Sequence, residues 1–319
     1  MTSLTVSSPP ALARRADVYV LIDRWLAHLD LQVQAGELSP ATRNTYQRGL
    51  DKFLDWAEGK QVVTDDLILE WKASLKAKGH KPNTINTWLS AARAFFTWAV
   101  NARLLTHNPA ANIRGAKRTG SSRHHLRDRL TDDEVLRVLA QPDPSTNLGK
   151  RDRAILYLMA YTAVRTIEVH RANLEDLHTA ENRLVLRVHG KGRDDADEPA
   201  VLTNPALQTA LYDWLAVRGA DPGPLFTSLS PRTRGDRLSL RAIRQIVKAY
   251  YLAAGVVAPN KTTHSLRHAA ISNAARRAPL QKVQSMARHA NLSTTMIYVH
   301  ESDRLANPAE ADIDYTPQS

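Results

Sequence analysis

The chain is 319 residues long, 35.5 kDa, enough for two domains of ordinary size with separate cores. Lys and Arg outnumber Asp and Glu by 43 to 32, a formal charge of +11 with a pI near 9.9, which favours a polyanion such as nucleic acid as partner. The absence of cysteine excludes disulfides, thiolate nucleophiles and sulfur-ligated zinc, and the longest uncharged apolar stretch, Ala154 to Val164, is about half the ~20 residues a bilayer span needs, so a cytoplasmic protein that crosses no membrane is expected.

Residues 1–16 read as a loose polar arm, without the apolar core of a secretion signal. From Asp17 to about Asn101 the apolar period is helical, and Leu21, Ile22, Trp25 and Leu29 mark the first buried face. Ser39 followed by Pro40 caps a second helix, whose stripe of Tyr46, Leu50, Phe53 and Leu54 ends before Gly59. Thr64 opens a third through Ile68, Trp71 and Leu75, and Lys81-Pro82-Asn83 leads into a fourth with Ile85, Leu89, Phe95 and Phe96. Aromatic residues at helical spacing belong to a core rather than to platforms for stacked bases. Residues 17–107 are thus expected to be a small all-helical module.

Asn108-Pro109 ends it, and residues 108–128 read as a basic linker; Arg123, Arg127 and Arg129 are the candidates there and at its edge for contact with a phosphate backbone. Thr131-Asp-Asp-Glu134 is a capping box with Leu130 and Val135 as its hydrophobic staple, so a second domain starts at 129 and extends to 302, followed by a tail over 303–319. After helices over about 151–161 and 165–172, the period changes. Leu184, Leu186 and Val188 lead to Gly190-Lys191-Gly192, and Val201-Leu202 resumes extended character, which predicts a short antiparallel ribbon with Lys191 near its turn. Helices return at about 205–218, 240–254, 266–277 and 280–287, with a short one capped by Ser293. The fold class is therefore mainly α with a small antiparallel β-sheet, in two domains.

Four segments carry chemistry. Tyr161-Thr-Ala-Val-Arg165-Thr-Ile-Glu168 places an arginine at a helix entry with a carboxylate three residues on. Lys191 sits on the ribbon. Thr263-His264-Ser-Leu-Arg267-His268 puts a histidine and an arginine three apart, and Arg288-His289-Ala-Asn-Leu-Ser-Thr-Thr295-Met-Ile-Tyr298-Val-His300 sets a histidine nine residues before a tyrosine. Singly, each has a bland alternative: an i,i+3 surface pair for Arg165 and Glu168, a plain turn at Lys191, an amphipathic rim residue for Tyr298. The histidines lie on separate segments with no close carboxylate, so no metal is expected, and His268 and His300 read as structural.

Taken in order, Arg165, Lys191, His264 with Arg267, His289 and Tyr298 resemble the signature of the tyrosine recombinase, or phage integrase, family, and the resemblance runs over nearly the whole chain. It implies a helical SAM-like core-binding domain and an α-rich catalytic domain that clamp duplex DNA. It also implies a specific recombination site as partner, a homotetramer on DNA, accessory DNA-bending proteins and no cofactor. By the same resemblance Tyr298 attacks a phosphodiester to leave a 3′-phosphotyrosyl link, Lys191 protonates the departing 5′ oxygen, His264 and His289 serve the phosphate or the tyrosine proton, and Glu168 supports its neighbours.

The chemistry is coherent with those residue types. Cleavage without a metal needs a nucleophile, cations against the charge growing on the non-bridging oxygens, and a proton for the leaving group. A phenol, with a free pKa of about 10, is unreactive until polarised. Arg165 and Arg267 can each fork onto phosphate oxygens in a way lysine cannot match. A type IB topoisomerase and a non-catalytic DNA-binding regulator with a relict site are the alternatives; the early helical module and the complete residue set argue against them. The chain departs from the family at Ala163 and Arg288, where glycine is usual; a left-handed backbone at Arg288 costs roughly 1 kcal/mol. Acidic residues follow Lys191 (Asp194, Asp195, Asp197, Glu198) where relatives tend to be basic. After His300 the tail holds Glu301, Asp303, Glu310, Asp312 and Asp314 against Arg304, a charge that suits either docking on a neighbouring basic protomer or a disordered end.

Overall fold

The computed structural model describes residues 15–60, 63–117, 129–190 and 198–298, and the chain divides into two units, Met1–Ser121 and Ser122–Ser319. In the first lie α1 (Arg15–Gln34), α2 (Pro40–Trp56), α3 (Asp65–Ala77) and α4 (Pro82–Asn101), of which α2 and α3 start where a side chain satisfies a free N–H group. Ser39 accepts from the Thr42 N–H and Thr64 from the Leu67 N–H, both at 3.1 Å. Their apolar faces meet around Trp25, Phe53, Trp71, Phe95 and Phe96, all buried, with Phe53 edge-on to Trp71 at 5.0 Å. The aromatic stripes are therefore core. Residues 108–117, counted with the linker in sequence, lie against this core: Ala110 is buried, and Asn86 bonds Ala116 through both its carbonyl and its amide.

The second unit opens with α5 (Asp132–Leu139), whose capping box forms as expected: Thr131 accepts from the Glu134 N–H, and Glu134 accepts from the Thr131 N–H. Then come α6 (Asn147–Thr162) and α7 (Thr166–Arg171). Helix α6 is the spine of the unit, with Ala154, Ile155, Leu156, Leu158 and Met159 all buried. A sheet follows, of β1 (Leu177–Ala180), β2 (Arg183–Val188) and β3 (Glu198–Val201), antiparallel in the order β1-β2-β3, with Leu186 opposite Leu177 on one side and Ala200 on the other. The sequence reading lacked β1, which is largely exposed and shows no apolar alternation. Its hairpin closes through Glu181 and Asn182, both left-handed, a two-residue turn without the usual glycine.

The rest is helical: α8 (Pro205–Arg218), α9 (Leu240–Ala253), α10 (Thr263–Ala275), α11 (Leu280–Ala287) and α12 (Leu292–Met296). Helix α12 is capped by Asn291, not Ser293, since the Asn291 side-chain Oδ1 accepts from the Ser293 N–H at 3.0 Å. Trp214, Leu225, Ile243, Val247 and Leu266 complete the main core, while Ala163, Ile271, Val283, Ala287 and Tyr298 make a smaller one beside it. Lys191, Arg123, Arg127, His300 and the 303–319 tail lie outside the described residues. Among the described residues no helix is long and apolar enough to cross a membrane.

Candidate active site

Two helix ends and one helix flank bring the predicted residues together. Helix α6 ends at Ala163, left-handed with φ 53°, and the chain turns at once so that Arg165 stands at the N-terminus of α7. Helix α11 ends the same way at Arg288, φ 51°, ahead of His289. Both departures from glycine thus fall on left-handed positions, where an L side chain costs about 1 kcal/mol. Arg267 projects from α10 toward these ends and ties them: one terminal nitrogen donates to the Ala163 carbonyl, the other to the Ala287 carbonyl. It is 5% exposed, and burial, reinforced by Arg165 and Arg288, brings its pKa down to about 9.

Arg165 is more open, its side chain 30% exposed. Its Nη1 donates to Glu168 Oε1 at 2.7 Å and its Nη2 to the Arg288 carbonyl at 3.0 Å. Glu168 is buried and takes further donors on Oε2: the Arg165 N–H at 2.7 Å and Arg288 Nη2 at 3.2 Å. A guanidinium carries five N–H donors, so both Arg165 and Arg267 have more than these contacts use.

Tyr298 follows α12, its N–H donating to the Thr295 carbonyl at 3.0 Å. The residue is 6% exposed, and burial, opposed by Arg267, pushes its phenol up to about 12. Its hydroxyl pairs with His268 Nδ1, and its ring stacks on His289 with centroids 6.3 Å apart. His289 is oriented by Nδ1 against the buried Thr295 hydroxyl at 2.9 Å; burial and then Arg267, Arg165 and Arg288 take its pKa down to about 4. His264 lies at the start of α10, its ring 6.5 Å from that of His268, and its pKa is lowered by burial and by Arg267, Arg244 and Arg165.

Arg165, Arg267, His264, His289, Tyr298 and Glu168 therefore share one locality. Arg129 does not join it in any contact seen here: its carbonyl accepts from Lys261 Nζ. The sequence reading missed two contributors. His268, taken as structural, holds the Tyr298 hydroxyl; its i,i+4 spacing from His264, beside Arg267, was the available signal. Thr295, in the Thr-Thr-Met-Ile-Tyr string, sets the His289 ring, and the string alone carries no sign of it. Among the described residues no three His, Asp or Glu side chains gather as metal ligands.

Comparison with known proteins covers both units. The family described as "Phage integrase family" matches residues 128–304, and "Phage integrase, N-terminal SAM-like domain" matches residues 22–103. Tyrosine recombinase XerC of Thermodesulfovibrio yellowstonii is 30% identical over 290 residues, 88% of this chain and 91% of that protein. Among solved structures, the XerH site-specific recombinase bound to palindromic difH substrate, a post-cleavage complex, superposes with a TM-score of 0.71 at 20% identity, covering 96% of this chain and 90% of the other. A lambda integrase tetramer bound to a Holliday junction gives 0.67 at 16% identity, covering 88% and 76%.

Proposed function

This chain belongs to the phage integrase family and is a tyrosine recombinase, and we propose that it cuts and rejoins duplex DNA at a specific site through a 3′-phosphotyrosyl link on Tyr298, without a metal. The observation that carries this reading is the gathering of the Tyr298 phenol, the His289 ring and the guanidinium groups of Arg165 and Arg267 from three separate segments into one field.

In the first step the Tyr298 oxygen bonds to phosphorus as the bond to the 5′ oxygen breaks. The phenol proton passes to a histidine, and the 5′ oxygen takes a proton from Lys191. The second step is the reverse, with a 5′ hydroxyl of the partner strand as nucleophile. Arg165 and Arg267 offset the charge that grows on the non-bridging oxygens. With its pKa near 12 the phenol stays protonated at rest. His268 holds its hydroxyl. Burial first and then three arginines depress His289, and an arriving phosphodiester anion counters the arginines, which raises its basicity. Extending the assembly seen for the lambda integrase, we take the working form to be a homotetramer on two DNA sites.

The test is capture. Wild-type protein is incubated in EDTA with nicked duplexes of randomised sequence, and protein–DNA adducts that survive denaturant are sequenced. Adducts are expected from wild type and none from Tyr298→Phe, with the recovered sequences defining the site. A two-site plasmid carrying that sequence then separates recombination from simple relaxation. Wild type that gives no Tyr298-dependent adduct would leave a DNA-binding regulator.

A further inference from the structure

Arg288 bears two costs at once. Its backbone is left-handed, where glycine would be unstrained, and its charged side chain is 3% exposed. What offsets them is visible in its contacts. The guanidinium donates through Nη2 to Glu168 Oε2 at 3.2 Å and toward the Thr162 carbonyl at 3.3 Å, while the main-chain carbonyl of the same residue accepts from Arg165 Nη2 at 3.0 Å. Arg165 in turn reaches Glu168 Oε1 through Nη1. Arg165, Glu168 and Arg288 thus form a closed ring, in which Arg165 is gripped at both terminal nitrogens and the two grips are joined by the Arg288 side chain. Glu168 is 0% exposed at its side chain, so solvent does not loosen the ring from beneath.

We propose that Arg288 is a positioning residue for the strand-cleavage reaction, which rests on the recombinase reading above: it closes the ring that aims the Arg165 guanidinium and fixes the backbone that carries His289. A guanidinium that must meet a phosphate in one orientation loses rate steeply when it is free to turn, and misplacement by about 1 Å is worth up to ~10²-fold. A glycine here would supply the same helix end at less strain but would leave the ring open.

The experiment uses the duplex that wild type captures from the randomised pool and compares wild type, Arg288→Gly, Arg288→Met, Arg288→Lys, Glu168→Gln and Glu168→Gln with Arg288→Met. DNA affinity, single-turnover cleavage rate and thermal midpoint are read for each. Arg288→Gly and Arg288→Met are expected to cleave about 10- to 100-fold more slowly with affinity for the duplex unchanged, and Arg288→Lys to recover part of the loss. Adding Arg288→Met to Glu168→Gln is expected to cost less than about twofold more, because the ring is already broken.

Arg288→Gly is the variant that keeps the fold in hand, since it relieves the left-handed strain. Cleavage by Arg288→Gly and Arg288→Met at the wild-type rate overturns the proposal, as does a loss that tracks DNA affinity or multiplies in full with Glu168→Gln. Failure of every Arg288 variant to fold overturns it in favour of structural support. Wild type without a Tyr298-dependent adduct removes the reaction itself, a result distinct from any of these.

Discussion

Between pH 4 and 6.5 the unfolded chain binds a proton at His289 that the folded protein rejects, because burial and then Arg267, Arg165 and Arg288 bring its pKa from 6.5 to about 4. The neutral ring therefore contributes its full stability above pH 6.5, and that contribution is lost as the pH falls through this window. His289→Asn keeps a polar side chain beside Thr295 but cannot titrate. Its thermal midpoint is expected to fall less than that of wild type on acidification from pH 7 to 4; parallel curves would show that folding does not depress the His289 pKa. Tyr298 lies at the opposite extreme, its phenol raised to about 12 by burial, so the site holds a protonated phenol and an unprotonated imidazole side by side at neutral pH.

At the scale of elements, Gly49 is set where α2 passes α4: a Cβ there would lie 2.7 Å from the Ala91 Cβ and 3.2 Å from the Trp88 Cα. Gly49→Ala gains about 1 kcal/mol of helix propensity but overpacks the contact, and a net loss of roughly 1–2 kcal/mol is expected, read as a lower urea midpoint at unchanged m-value. A midpoint equal to wild type would mean that the helices separate at no cost.

The helices themselves were legible because caps and periodicity are local: Ser39, Thr64 and the Thr131–Glu134 box each start a helix where the sequence places it. Strand β1 was not, since an exposed edge strand closed by Glu181-Asn182 has neither alternation nor a glycine turn to announce it. The site divides in the same way. Arg165, His264, Arg267, His289 and Tyr298 could be named from their strings, and the left-handed positions at Ala163 and Arg288 from the glycine usual there. The pairing of His268 with Tyr298 and the ring through Arg288 join residues far apart in sequence, and only the folded chain reveals such contacts.

For the molecule as a whole, the family matches fall on both units, and the excess of base over acid, +11 in all, suits a protein that meets a polyphosphate. Some of those bases, Arg165, Arg267 and Arg288, gather around the Glu168 carboxylate at the candidate site. Burial first, and then repulsion from Arg165 and Arg288, lowers the Arg267 pKa to about 9, while Glu168 works against that drop. Their mutual repulsion is a mechanical load on the fold, carried by carbonyls at the ends of two helices. Inorganic phosphate should lighten that load: at millimolar concentration it is expected to raise the melting temperature by about 2–4 °C relative to sodium chloride of equal ionic strength, and equal effects of the two salts would refute this. If phosphate stabilises the fold in this way, DNA would act on this protein as a brace as well as a substrate, and release of product would return the second unit to its more strained condition.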